Sequence, residues 1–257
     1  MSAYRAALVV EWMKVRRSPV GGVTTALLVL GVAAVSGASF ASIGGDGVLA
    51  AKAELLGGGQ GWTGLLGLAS QVMAVGGLLG FGVMAGWLFG REFTDGTVAA
   101  LFARPVPLSA VAAAKLTVYL GWALGVAGLV LTGVLAVGGL LALAGDASLR
   151  STAAAGPAFK LVVVTVLTAL LATPCALVAT LARGYLAAVG AAVAVVVVAQ
   201  VAVMVGLGGW FPFAAPGVWA ADVAGADGVA AVQLTLAVPV TLVAGAMTVL
   251  AWRRLAL

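Results

Sequence analysis

Five charges, Arg91, Glu92, Asp95, Arg104 and Lys115, fall close together between two long apolar runs. No other internal segment is as polar over so short a distance, so this one must meet water or another protein. Its residue types suit docking rather than bond making. Thr94 or Asp95 is placed to cap a short helix beginning near Gly96-Thr97, and Pro105 with Pro107 ends it. Val98, Leu101 and Phe102 then share an apolar side at spacings of three and four. A capped helix across a membrane surface transmits a push. A solvated linker that merely reverses the chain absorbs one, and the spacing alone allows either.

The rest of the chain offers little that could do covalent chemistry. There is no His and a single cysteine, Cys175, which removes the usual metal-ligand sets, Cys/His catalytic pairs and a disulfide framework. An intramembrane hydrolase would need a Ser with a His or Lys base, paired Asp residues or metal ligands, and no such set falls within the apolar runs. No lysine follows Gly or precedes Ser or Thr, so no phosphate-binding P-loop is expected either. Catalytic residues and metal ligands are therefore both expected to be none. The polar side chains inside the apolar runs are threonines, Ser70, Gln71, Gln200 and Cys175. Gln71 and Gln200 could touch a bound molecule, although a hydrogen bond to a neighbouring helix is the commoner use of such residues.

Composition fixes the solvent these residues sit in. Of 257 residues, 63% are hydrophobic and 8% charged, with a mean hydropathy of +1.22, whereas soluble domains carry roughly 25% charged residues. The expected fold class is all-α integral membrane, built as one transmembrane domain over 1–257. The isoelectric point near 9.9 does not argue for nucleic acid, because the 13 basic residues are scattered at span ends instead of gathered on one polar face. The basic N-terminal segment and the length of the first apolar run argue against a cleavable signal.

Taken in order, residues 2–18 place Tyr4, Leu8, Trp12 and Val15 on one helical stripe, with Arg5, Lys14 and Arg17 pointing elsewhere. This predicts an amphipathic interfacial helix, with Trp12 at headgroup depth and the cations in water or on anionic lipid. Ser18-Pro19 ends it. Six spans follow at about 20–43, 62–90, 110–144, 159–182, 185–207 and 232–252, each near or above the ~20 residues that cross a bilayer. Pro174 should kink the fourth span, and the Arg183-Gly184 turn makes spans four and five antiparallel neighbours. Residues 44–61 and 145–158 read as loops on the outer side. Segment 208–231 holds Trp210, Phe211, Pro212, Phe213, Pro216 and Trp219 and reads as an extracellular re-entrant or interfacial pair of short helices. An aromatic-belt anchor is the plainer alternative.

With both ends inside, Arg5, Lys14, Arg16, Arg17, Arg91, Arg104, Lys115, Arg183, Arg253 and Arg254 are cytoplasmic, leaving Lys52, Arg150 and Lys160 outside. This asymmetry obeys the positive-inside rule and supports six spans. Every charge is expected at or beyond a span end, with Lys115 opening span three. Ion-coupled carriers usually need an ionisable group near the midplane, so that class is disfavoured.

Glu92-x-x-x-Gly96-Thr97, then Pro105, then Lys115 at the next span resembles the signature loop of ABC type-2 exporter permeases. Glu11-x-x-Lys14-x-x-Arg17 is similar to that family's N-terminal segment, and the order of elements matches over essentially the whole chain. Where many relatives follow the proline with Ser-Arg, this chain has Val106-Pro107-Leu108-Ser109, with Arg104 the nearest substitute cation. The resemblance implies a transmembrane subunit that dimerises with a second copy, most simply as a homodimer, and binds two copies of a separate cytoplasmic ABC ATPase. ATP and magnesium would be held in that partner, with no cofactor on this chain. Residues 91–108 would form the coupling loop, its contacts drawn from Arg91, Glu92, Phe93, Thr94, Asp95, Gly96, Thr97, Val98, Leu101, Phe102, Arg104 and Pro105. The expected location is the inner (cytoplasmic) membrane with both termini cytoplasmic. The apolar spans suit export of an amphiphilic drug, antibiotic or peptide. The competing reading is a non-transporting immunity or scaffold protein that sequesters an amphiphile.

Overall fold

The computed structural model describes residues 3–43, 59–103, 106–151, 153–221 and 231–255. The expected outer-loop charges Asp46, Lys52 and Glu54, the coupling-loop residues Arg104 and Pro105, and Asp222 and Asp227 lie outside the described residues. All regular structure among the described residues is helical.

Helix α1 spans Ala3–Arg17 and α2 spans Pro19–Ala41. Between them Ser18 accepts the Val20 amide at 3.0 Å, and Pro19 occupies the first helical position, where its missing N–H costs nothing. Helix α3 runs Gly61–Thr94 with one π-helical turn, Met73–Gly77, inside it. Next come α4 (Val98–Phe102), α5 (Leu108–Leu143), α6 (Ser148–Ser151), α7 (Ala155–Leu171) and α8 (Pro174–Leu181). The order closes with α9 (Tyr185–Met204), α10 (Ala215–Ala221), α11 (Ala231–Thr235) and α12 (Ala237–Arg253). Six stretches are long and apolar enough to cross a membrane: α2, α3, α5, α7 with α8, α9, and Val232–Arg253.

Helices α3 and α5, with 34 and 36 residues, reach roughly 50 Å at 1.5 Å per residue, against a hydrocarbon core of ~30 Å. Both therefore project beyond the apolar layer. Helix α7 likewise starts four residues before the expected boundary at 159, so Lys160 lies more than a turn inside it, with its ammonium 5.2 Å from the Trp219 ring. Short α10 packs against the first half of α3 and against α7.

Close packing of α3 against α9 follows from three glycines at helical spacing. A Cβ at Gly82 would come within 2.8 Å of Ala192 Cβ, at Gly86 within 2.6 Å of Ala188 Cβ, and at Gly90 within 2.5 Å of the Tyr185 nitrogen. Small residues on both sides let the backbones approach, the usual means of helix association in lipid. The α8–α9 turn they meet is a Schellman closure in which the Gly184 amide reaches Ala179 O at 3.0 Å. Arg183 takes the left-handed position there at φ 52°.

Pro174 breaks its span outright where a kink was expected, ending α7 and starting α8. The proline has no N–H for the carbonyl of Leu170 and displaces the ladder around it. Hydroxyls from this span and from two others repair the loss. Thr241 Oγ1 of α12 shares its one proton between Leu170 O at 2.9 Å and Ala237 O of its own helix at 2.8 Å, Thr173 Oγ1 donates to Leu170 O at 2.7 Å, and the buried Tyr119 hydroxyl of α5 donates to Ala169 O at 2.7 Å. In lipid no water can take this role, so the break also pins α5 and α12 to the fourth span.

Thr241→Val is expected to cost roughly 0.6–1.7 kcal/mol, read from reversible unfolding in mixed micelles. Pro174→Ala restores the missing donor to Leu170 O, so Thr241→Val should cost measurably less in that background. Equal costs in both backgrounds would show that the threonine does not serve the proline break.

Candidate functional site

Three helices meet at one end of the bundle around an ammonium group with no exposed surface. Lys115, two turns into α5, is 0% exposed. Its Nζ donates to Glu11 Oε2 at 2.7 Å, Glu92 Oε1 at 2.7 Å and Leu88 O at 2.9 Å. Lys14 donates to Glu92 Oε1 at 2.9 Å and pairs with Glu11. Two cations and two carboxylates thus form a neutral, hydrogen-bonded cluster drawn from α1, α3 and α5. Trp252 of α12 closes it from the side: its fully buried ring lies 5.6 Å from Lys115 Nζ and edge-to-face with Phe89 and Phe93. The Trp252 indole donates to Thr180 Oγ1 at 3.0 Å, tying in α8.

The cluster corrects two expectations. Lys115 does not sit at a span end in water, and Lys14 does not point away from the protein. Pairing with Glu11 and Glu92 decides how α1 rolls. Ala7, Glu11 and Val15 face inward, Leu8 is half-buried, and Tyr4 and Trp12 are exposed. The predicted stripe of Tyr4, Leu8, Trp12 and Val15 is therefore split, because the energy of matching buried charges outweighs that of aligning apolar side chains. Arg17 is exposed, as expected. Burial pulls the Lys14 ammonium down, but Glu92 and Glu11 more than offset it and hold its pKa above the ordinary 10.5. One oxygen, Glu92 Oε2, is buried without a hydrogen-bond donor among the described residues.

Next to the cluster, α3 continues four residues past its expected end at 90, so Arg91, Glu92, Phe93 and Thr94 are helical. Thr94 therefore cannot cap α4: its hydroxyl donates back to Gly90 O at 3.2 Å. Asp95 is the C-cap of α3 and lies 3.8 Å from Arg91 Nε. Gly96 supplies the reversal at φ +67°, a backbone region that side chains disfavour. Thr97 then holds the N-cap position of α4 without a side-chain bond. Leu101 is buried with the core, Val98 is half-buried and Phe102 is 36% exposed. The expected shared face is thus divided, with Leu101 anchoring α4 and Phe102 turned toward solvent.

A second feature lies toward the opposite end. Gln71 and Gln200 both line a cavity of about 460 Å³ between the π turn of α3, helix α9 and α10. Val75, Val203 and Phe213 supply much of its apolar wall. Of the aromatic segment, Trp210 is 65% exposed, Pro216 is buried, and Phe211, Pro212 and Trp219 are half-buried. Among the described residues no group of His, Cys, Asp and Glu could hold a metal ion.

Lys115→Met leaves two buried carboxylates short of a cation and is expected to cost about 3–5 kcal/mol, measured as lost unfolding free energy in detergent. Adding Glu11→Gln should recover part of that loss, since it removes one stranded charge. For Lys14, a raised pKa gives a contribution that is full below 10.5 and lost only as pH rises through its higher folded value. Trp12 fluorescence should therefore report an undisturbed α1 through neutral pH and a change only in strong alkali.

A family model described as "ABC-2 family transporter protein" matches residues 7–200. That range takes in α1 from Ala7, the charge cluster, α4 and Gln200. No curated protein and no solved structure matches the chain.

Proposed function

This chain belongs to the ABC-2 transporter family, and on that premise we propose that it is the transmembrane subunit of an ATP-driven exporter. Membership implies association with the membrane and with an ABC ATPase. In this reading two copies form the pathway and two cytoplasmic ATPase subunits drive it, with ATP and magnesium bound in those partners. The charged end, with both termini, faces the cytoplasm of the inner membrane, in keeping with its excess of Arg and Lys.

One observation carries the coupling assignment. The short helix α4 hangs between Glu92 and Lys115, and these two residues are clamped to each other and to α1 at 2.7 Å. A partner pressing on exposed Phe102 meets a rigid fulcrum, because Leu101 and the ion cluster hold the base of α4 in place. Closure of the ATPase pair would then tilt α3 and α5 together and alternate access between the two faces. The Gln71/Gln200 cavity suits an amphiphilic cargo such as a drug, antibiotic or peptide: two amides orient a polar group against a mostly apolar wall.

Phe102→Ala, Asp95→Ala and Gly96→Val should each uncouple ATP hydrolysis from export in vesicles reconstituted with the partner ATPase, while leaving the protein inserted and dimeric. Full transport by such variants would overturn the coupling role. Gln200→Leu should change which amphiphiles stimulate the ATPase while basal hydrolysis persists, and an unaltered cargo profile would remove the cavity from the pathway.

A further inference from the structure

A groove of about 500 Å³ lies between α1, the start of α2 and the end of α3. Its polar wall is formed by Lys14, Arg17 and Arg91 with Asp95, and its apolar wall by Val10, Met13, Val20 and Trp87. The guanidinium of Arg91 lies 4.7 Å from the centre of the Trp87 ring, which fixes it at the rim. Met13 is 42% exposed, so the apolar wall opens outward.

We infer that this groove binds the phosphodiester headgroup of an anionic phospholipid. The charge balance singles out a monoanion. Lys14 and Lys115 are matched by Glu11 and Glu92, and Arg91 is matched by Asp95. Arg17 enters none of the ion pairs among the described residues and is exposed, leaving one positive charge over. A phosphodiester bears one negative charge, accepts hydrogen bonds from guanidinium groups and brings an acyl chain. The position suits such a ligand, because Ser18-Pro19 is where α1 leaves the surface and α2 enters the apolar layer. From there an acyl chain can run along Met13, Val20 and Trp87 while the phosphate stays with the arginines. A zwitterionic headgroup would add an ammonium beside three cations. Free phosphate would leave the apolar wall unused.

The test is native mass spectrometry and thermal unfolding of the purified full chain in detergent, titrated with phosphatidylglycerol, phosphatidylcholine or inorganic phosphate. Phosphatidylglycerol should be retained and raise the unfolding temperature, with the other two having little effect. Arg17→Gln should weaken phosphatidylglycerol binding about five-fold, equivalent to about 1 kcal/mol for one surface cation, and Arg17→Lys should restore most of it. Arg17 is exposed, so its substitution spares the fold. As a second variant, Met13→Glu puts a carboxylate at the mouth and should also lower binding, while Arg150→Gln at the other end of the bundle should not. Equal binding of phosphatidylcholine, full competition by inorganic phosphate, or unchanged binding by Arg17→Gln and Met13→Glu would each overturn the assignment.

Discussion

An ammonium group cut off from solvent, Lys115 Nζ, sets the geometry of one whole end of this protein. Stripping a charge of its water costs several kcal/mol, and only well-placed counter-charges and hydrogen bonds recover that cost. Here the recovery needs Glu11 from α1, Glu92 from α3 and the Leu88 carbonyl together. A slide of α1, or a separation of α3 from α5, would strand a charge in a low-dielectric site. The roll of α1, the spacing of the two long helices and the seat of Trp252 therefore belong to one problem with few solutions.

Away from this end the constraint is the backbone. Lipid offers no donor to a freed carbonyl, so the break at Pro174 is bridged from within the span by Thr173 and from other spans by Tyr119 and Thr241. The glycine row of α3 acts the same way by contact: Gly82, Gly86 and Gly90 receive Ala192, Ala188 and Tyr185 so closely that α3 and α9 cannot slide independently. Apolar burial has a smaller part. Helix α9 leaves most of its valines exposed, including Val193, Val197, Val198 and Val201, a surface suited to acyl chains that have no reason to avoid it.

The number of crossings was legible because an uncharged run of about 20 residues has few other fates. The ion cluster was not, and the reason is physical. A lysine near the start of a span is read by default as a solvated anchor, whereas Lys115, two turns into α5, is enclosed by Glu11, Glu92 and Trp252 from three other helices. Glu11, Lys14, Glu92 and Lys115 do sum to zero, and two acids beside basic span ends were a readable hint. Their convergence, however, depends on three helices meeting, which no local pattern encodes. The capping of α4 failed for a related reason: Arg91 to Thr94 continue α3, leaving Thr94 to bond Gly90 O and Gly96 to make the turn. Gln71 and Gln200 were visible as polar residues at membrane depth. Their shared cavity was not, since it depends on α10 folding back against α3.

One element carries both features of the site. Gln71 sits beside the π turn of α3, and Glu92 sits near the end of the same helix, about 30 Å away at 1.5 Å per residue. Between them the glycine row holds α9, which contributes Gln200 to the cavity wall. In the proposed exporter, a displacement applied at α4 would therefore reach the cavity through a continuous helix and a partner locked to it. The π turn is the place where the two ends of α3 need not move alike, because it interrupts the i→i−4 ladder of the flanking α-helix, a recognised cause of kinks, and such turns recur at functional sites. A stiff charged fulcrum at one end and a pliable turn at the other are what a lever needs if motion at the ATPase is to change the shape of a cavity rather than translate it whole.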